Sequence, residues 1–163
     1  MPTITAADEV VRLASDLIAI DTTNTDDPQA MGTERPAAEY VAERLADAGY
    51  HPEYVEAGAP GRGNVVVRLP GADPARGALL VHGHLDVVPA DPDEWSVHPF
   101  SGEIRDGYLW GRGAIDMKDF DAMVLAVVRQ WRREGVVPPR DIVLAFTADE
   151  EAGSHYGARF LAE

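Results

Sequence analysis

The stretch DIVLAFTADEEAGS, residues 141–154, largely determines the predicted fold of this chain. Its first half is a short apolar run, which is typical of a strand buried on both faces of a sheet. Asp149, Glu150 and Glu151 stand side by side directly after that run. Neighbouring carboxylates repel one another, so their position at the end of a buried strand favours a compensating positive charge nearby.

Three more segments that precede this one have strand-like composition. The runs NVVVRL at 64–69 and ALLVHG at 78–83 are nearly continuous apolar sequences, as in buried central strands. The segment HPEYVEA at 51–57 alternates between polar and apolar residues, as in a half-buried strand. Together with 141–147, these segments predict a sheet of several strands.

Helical patterns alternate with these strands. Apolar residues at helical spacing predict amphipathic helices over 6–19 and 34–48, and a third helix that ends near Arg133. A further helix is predicted to begin after Ser154. This alternation predicts an α/β fold, a three-layer α/β/α sandwich with a largely parallel mixed sheet.

Composition excludes several classes of function. The chain has 163 residues, of which 28 are acidic and 14 basic, giving a formal net charge of −14. Such a surface repels nucleic acid and anionic membranes, so neither is expected as a partner. There is no cysteine, which excludes a disulfide framework and a thiolate metal site. The N-terminus lacks the features of a signal peptide, and we expect a cytoplasmic protein.

Polar clusters follow the predicted strands at three places. His82, His84 and Asp86 close the run at 78–83, Asp116 precedes the third helix, and the acidic residues 149–151 close the last strand. In open α/β sheets, functional sites lie beyond the carboxyl ends of strands, so the sheet could bring these clusters to one edge. Histidine and carboxylates without cysteine suit zinc or a similar divalent metal.

A divalent cation would also offset the repulsion between the acidic residues. Consecutive side chains point in different directions, so one of Glu150 and Glu151 could bind metal while the other handles a proton. Asp86 lies two residues after His84 and could hold the second ring nitrogen of a metal-binding imidazole.

Each of these residues also has a purely structural interpretation. Glu150 and Glu151 could form a solvated turn, Asp116 could cap the third helix, and His84 with Asp86 could be an ordinary hydrogen-bonded pair. His82 fits a packed position within the strand better than a metal ligand. The remaining histidines have no carboxylate pattern around them and fit surface or packing roles: His51, His98 and His155.

Three ordered motifs taken together resemble a known family. They are LLVHGHLDVVPAD (79–91), EWSVHPFSGEIRDGYLWGRGAIDMK (94–118) and FTADEEAGSHYGARFL (146–161). They resemble the co-catalytic zinc metallopeptidases, which include aminoacylase, acetylornithine deacetylase, succinyl-diaminopimelate desuccinylase and carboxypeptidase G. The resemblance implies hydrolysis of an amide bond in an N-acyl amino acid or small peptide by a metal-activated water.

The resemblance also implies a role for each residue. His84 matches the first metal ligand, Asp86 the aspartate that orients it, and Asp116 the carboxylate that bridges two metals. Glu150 matches the general base and Glu151 the ligand of the second metal. The implied cofactor is a pair of zinc ions, with Co²⁺ or Mn²⁺ as alternatives. A cis peptide bond after Asp116 is implied as well.

The chain differs from the family pattern at its end. The resemblance implies further ligands and a lid and dimerisation domain beyond Glu163, so residues 1–163 are expected to be the N-terminal part of a catalytic domain, inactive alone. The parent enzyme is then expected to act on a small substrate and to form a homodimer through the lid. The alternative is a non-catalytic acidic α/β module with weak or no metal binding.

Overall fold

The computed structural model describes residues 4–25, 33–56 and 58–163. The helices are α1 (Ala6–Ile18), α2 (Arg35–Asp47), α3 (Lys118–Glu134) and α4 (Ala158–Ala162). The strands are β1 (Glu53–Glu56), β2 (Gly63–Leu69), β3 (Leu79–His84), β4 (Ile104–Arg105), β5 (Tyr108–Leu109) and β6 (Ile142–Thr147). A short 3₁₀ helix spans Pro92–Glu94.

The main sheet has the strand order β1-β2-β6-β3. β3 and β6 are parallel, whereas β1 pairs with β2, and β2 with β6, in antiparallel directions. The predicted mixed sheet is therefore confirmed, but among the described strands parallel pairing is confined to β3 and β6. A short connection joins β1 to β2 and allows only antiparallel pairing, while α3 lies in the long crossover from β3 to β6. The prediction that 78–83 is a buried central strand is wrong: among the described strands β3 lies at the edge of the sheet, and Leu79 and Leu80 are exposed.

Helices flank both faces of this sheet, with α1, α2 and α3 on one face and, among the described helices, only the short α4 on the other. One face of β2 and β6 packs with α1, α2 and α3 in the main core, through Val65, Val67, Leu69, Ile142, Leu144 and Phe146. The alternate residues face a groove that α4 borders: Val66, Leu80, His82, Val143, Ala145 and Thr147. The alternation follows from the two-residue period of a strand.

The helix boundaries agree with the predicted ones to within a few residues, except for the last helix. At the start of α1 the backbone N–H of Thr5 donates to the Asp8 carboxylate over 2.8 Å. α3 ends at Gly135, whose φ of 68° is readily adopted only by glycine. α4 is restricted to a short segment well after Ser154. No described helix combines the length and the apolar character needed to cross a bilayer.

Asp121 on α3 is a buried carboxyl with an unusual environment. It is fully buried, and neither of its oxygens has a hydrogen-bond partner among the described residues. A Cβ added to Gly83 would lie 2.1 Å from Asp121 Oδ1, so the carboxyl packs directly against the β3 backbone. Burial raises the pKa of Asp121 well above its ordinary value, against the opposing charges of His84 and Lys118.

We expect Asp121→Asn to stabilise the protein at pH 8. Because the pKa of Asp121 is higher in the folded than in the unfolded state, folding takes up a proton. The contribution of Asp121 to stability is therefore most favourable below its unfolded pKa, near 4, and falls by at most about 1.4 kcal/mol per pH unit above it. Asparagine needs no such proton.

The measurement is thermal unfolding of the full-length protein at pH 4 to 8 in the presence of a chelator. The gain in melting temperature should shrink towards pH 4, while Asp119→Asn, a partly exposed neighbour, should show no comparable trend. A variant that is less stable than the wild type at pH 8 would show that Asp121 is ionised and paired with Lys118.

Candidate metal centre

The parallel strands β3 and β6 place four of the predicted site residues at one edge of the sheet: His84, Asp86, Glu150 and Glu151. His84 is the last residue of β3 and pairs in register with Thr147, the last residue of β6. The chain leaving β3 reaches Asp86, and the chain leaving β6 reaches Glu150 and Glu151. Neighbouring parallel strands end on the same side of a sheet, which brings the first and third polar clusters together.

The two ring nitrogens of His84 face different surroundings. Nε2 lies 3.1 Å from Asp116 Oδ1 and 3.8 Å from Glu150 Oε2. Nδ1 lies 3.1 Å from the backbone oxygen of Asp86 and 3.5 Å from its Oδ1. One side of this buried imidazole is therefore held by Asp86, and the other is turned towards carboxylates.

The same contacts set the charge on His84. Burial would lower the pKa of its imidazole, but the hydrogen bond and charge of Asp86, together with the charge of Glu150, raise it to about 9. The surroundings thus favour a positive charge at this position. A divalent cation on Nε2 would take the place of that proton.

Asp86 is fully buried and accepts hydrogen bonds on both of its oxygens. The backbone N–H of Glu150 donates to Oδ1 and that of Glu151 to Oδ2, each over 3.0 Å. The Asn24 amide donates to Oδ2 over 2.8 Å. Burial alone would raise the pKa of Asp86, but hydrogen bonds from His84, Asn24 and the two backbone groups lower it. Asp86 therefore connects β3 to the acidic turn after β6.

Ligating atoms of His84, Glu150 and Glu151 all lie within 4.8 Å of one another. Asp116 is not part of this group, although its Oδ1 lies 3.1 Å from His84 Nε2. Burial raises the pKa of Glu151, and the charges of Asp116, Asp86 and Glu150 raise it further, against the effect of His84. One imidazole nitrogen and several oxygens at this spacing fit the donor preferences of zinc.

Asp116 lies two residues before Lys118, the first residue of α3. The Lys118 ammonium is buried and donates to the carbonyl oxygens of Leu17 over 3.0 Å and Ile20 over 2.7 Å, which ties the start of α3 to the end of α1. The peptide bond between Asp116 and Met117 is cis. The N-cap position of α3 belongs to Met117, so the alternative that Asp116 caps this helix is wrong.

The other described histidines do not belong to the group formed by His84, Glu150 and Glu151. His82 Nε2 is 2.9 Å from the Thr147 hydroxyl, and burial lowers the pKa of its imidazole. His98 accepts a hydrogen bond from the Phe100 backbone, and His155 contacts Arg159. These contacts agree with the packing and surface roles predicted for His82, His98 and His155.

Sequence reasoning missed a set of buried polar residues behind this site. Asn24 belongs to the polar sequence DTTN at 21–24, and Arg62 to the glycine-rich sequence GAPGRG at 58–63. Both are buried, as are Glu34 and Asp149. An arginine and an asparagine in loop sequence are usually exposed, so the sequence offered no signal for their burial.

A family model matches the part of the chain that carries the candidate metal centre. Residues 80–163, more than half of the chain, match the family model described as Peptidase family M20/M25/M40. The matched segment contains His84, Asp86, Asp116 and both glutamates of the acidic turn.

Curated relatives include an aminoacylase-1 and a desuccinylase. Aminoacylase-1 from Sus scrofa is 39% identical over 122 residues, which are 74% of this chain and 30% of that protein. Succinyl-diaminopimelate desuccinylase from Methylorubrum populi is 40% identical over 129 residues, 76% of this chain and 33% of that protein. The chain thus spans about a third of the length of these relatives.

Solved structures show the same fold. Human carnosine dipeptidase 1 superposes with a TM-score of 0.78 at 28% identity, covering 95% of this chain and 34% of that one. The M20 family metallo-carboxypeptidase Sso-CP2 from Sulfolobus solfataricus superposes with a TM-score of 0.75 at 22% identity, covering 91% and 32%. At the latter identity the likeness concerns the fold alone.

Proposed function

The chain belongs to the peptidase family M20/M25/M40, and we propose that the full-length protein is a metal-dependent hydrolase of amide bonds in N-acyl amino acids or small peptides. The relatives named above are an aminoacylase, a desuccinylase and a dipeptidase. We further propose that residues 1–163 form the N-terminal part of its catalytic domain and that other parts of the protein complete the metal site and the substrate site.

The observation that carries this proposal is the environment of the buried His84 imidazole. Nε2 is directed at Asp116 and Glu150, and Nδ1 is held from behind by Asp86. An imidazole fixed through one nitrogen and open to carboxylates through the other is the usual arrangement of a histidine that binds metal.

We assign the metal ligands to His84, Asp116 and Glu151, and the general base to Glu150. Zinc, when bound, lowers the pKa of a water molecule and polarises the amide carbonyl. Asp116 would bridge two such ions, and Glu151 would bind the one farther from His84. Co²⁺ and Mn²⁺ are alternatives with similar donor preferences.

Glu150 then handles the proton. Its carboxylate lies 3.8 Å from His84 Nε2, and nearly half of its side chain is exposed, so both a substrate and a water molecule can reach it. Glu150 takes a proton from the attacking water and delivers it to the leaving nitrogen. Asp86 keeps the imidazole oriented during the reaction and, through its contacts with residues 150 and 151, fixes the backbone of the acidic turn.

The proposal is tested by assaying the full-length protein on a panel of N-acyl amino acids and dipeptides. We expect hydrolysis of at least one member of the panel, together with zinc in the purified protein by elemental analysis. A protein that is inert on the whole panel although it contains metal would favour the non-catalytic α/β module instead.

A further inference from the structure

A chain of buried polar side chains lies directly behind the candidate metal centre. The Arg62 side chain is fully buried, and its Nη2 lies 2.8 Å from Glu34 Oε1 and 2.9 Å from Asp149 Oδ1. Its Nη1 donates to Asn24 Oδ1 over 3.2 Å. Arg62 thus joins the start of β2 to the entry of α2 and to the chain leaving β6.

Asn24 connects this arginine to the site. Its amide nitrogen donates to Asp86 Oδ2 over 2.8 Å and to Asp149 Oδ1 over 3.2 Å. Its backbone N–H donates to the Val87 carbonyl over 2.8 Å. The amide nitrogen therefore serves two carboxylates and the amide oxygen accepts from Arg62, which fixes the orientation of the side chain.

Asp149 begins the turn that carries Glu150 and Glu151. Its φ is 66°, in the left-handed region that residues with a side chain rarely adopt. This conformation accompanies the approach of the two following N–H groups to Asp86. Arg62 and Asn24 hold one oxygen of the Asp149 side chain, and the Tyr156 backbone N–H donates to the other over 3.2 Å.

The charges in this network do not make it an obvious source of stability. Burial raises the pKa of Glu34 to about 7, although the charge of Arg62 opposes the shift. Buried ion pairs often contribute no more to stability than apolar residues of similar volume would. A network of this kind therefore fits a role in fixing geometry.

We propose that Asn24 and Arg62 are positioning residues of the metal centre. Through Asp86 they set the His84 imidazole, and through Asp149 they set the turn that presents Glu150 and Glu151. One amide and one guanidinium thus hold the two halves of the ligand set in register. This inference rests on the proposed function, because it assigns these residues a role in the same site.

The test uses substitutions in the full-length protein that remove each contact in turn. Asn24→Ala removes both donors to the carboxylates, and Arg62→Met removes the guanidinium while Arg62→Lys keeps its charge. Arg68→Met is a control for the loss of an arginine from a neighbouring position, although the Arg68 side chain is exposed. Arg68 lies in β2, which Arg62 directly precedes. Its Nε lies 2.7 Å from Oδ2 of Asp141, at the end of β6 that is farther from the candidate metal centre.

Three quantities are measured for each variant. The first is the affinity of the metal-free protein for Co²⁺, obtained from the visible absorption of the bound ion. The others are kcat at saturating metal and the melting temperature without metal. We expect Asn24→Ala to weaken Co²⁺ binding or lower kcat by about 10–100-fold, as is typical for groups that hold metal ligands. Arg62→Met should reduce Co²⁺ affinity or kcat to a similar extent, and Arg62→Lys should lose less than Arg62→Met. For Arg68→Met, both Co²⁺ affinity and kcat should stay within about twofold of the wild type.

The outcomes separate the two proposals. Folded Asn24→Ala and Arg62→Met proteins with wild-type Co²⁺ affinity and kcat would overturn the positioning role and leave the proposed function intact. A wild type that neither binds Co²⁺ nor hydrolyses any amide would overturn the proposed function itself, and the positioning role with it. If Asn24→Ala does not fold, Asn24→Ser, which keeps one hydroxyl donor, decides between the same outcomes.

Discussion

Glu150→Gln in the full-length protein is expected to lower kcat by about 10²–10⁴-fold while leaving the metal content unchanged, since this is the usual contribution of a general acid–base group. The amide has nearly the same size as the carboxylate but cannot accept the proton of the attacking water. Glu150 is partly exposed and lies beside His84, where it can reach both water and substrate. The backbone contact to Asp86 does not involve the altered side chain.

Glu151→Gln is the matched comparison, one residue away on the same turn. It should lower the metal content, because a neutral amide is a poor replacement for a carboxylate ligand. Elemental analysis and kcat, measured on both variants at several zinc concentrations, separate the two roles. Loss of metal from Glu150→Gln with retention in Glu151→Gln would show that the two assignments are reversed. This outcome needs testing because both glutamates place a carboxylate oxygen within 4.8 Å of a His84 ring nitrogen.

Removal of metal from the full-length protein should abolish turnover and lower its melting temperature. The site gathers Asp86, Asp116, Glu150 and Glu151 around one imidazole, and without a cation their charges repel one another. A ligand present at 100 times its dissociation constant stabilises a folded protein by about 2.7 kcal/mol, which chelation would remove. Zinc or cobalt added afterwards should restore both properties.

His84→Ala provides the control for this experiment. Its melting temperature should respond much less to chelator than that of the wild type, because the first ligand is missing. Turnover that persists in wild-type protein shown by elemental analysis to be free of metal would contradict the account.

The sequence was most informative where a pattern reflects burial. The apolar runs at 64–69, 78–83 and 141–147 correspond to β2, β3 and β6. The pattern indicated burial correctly for β2 and β6, whereas β3 lies at the edge of the described sheet and exposes Leu79 and Leu80. Strand direction could not be predicted in the same way. β2 runs antiparallel to β6, and this depends on chain connections and packing that local composition does not encode.

The site was partly predictable for a related reason. His84 and the acidic turn follow apolar strands directly, so their place at the end of β3 and β6 could be inferred from the sequence alone. For Asp116 the sequence allowed either a cap or a ligand, and its contact with His84 could not be predicted from local sequence. Asn24 and Arg62 could not be found, because their burial results from long-range contacts.

The most direct test of the central claim is anomalous diffraction at the zinc absorption edge from crystals of the full-length protein. We expect a peak about 2.0–2.2 Å from His84 Nε2 and from an Asp116 oxygen, and a second peak at similar distances from Asp116 and Glu151. Glu150 should remain outside bonding distance of both peaks. Zinc-soaked crystals with no peak beside His84, or with a peak bonded to Glu150 in place of Glu151, would contradict that claim.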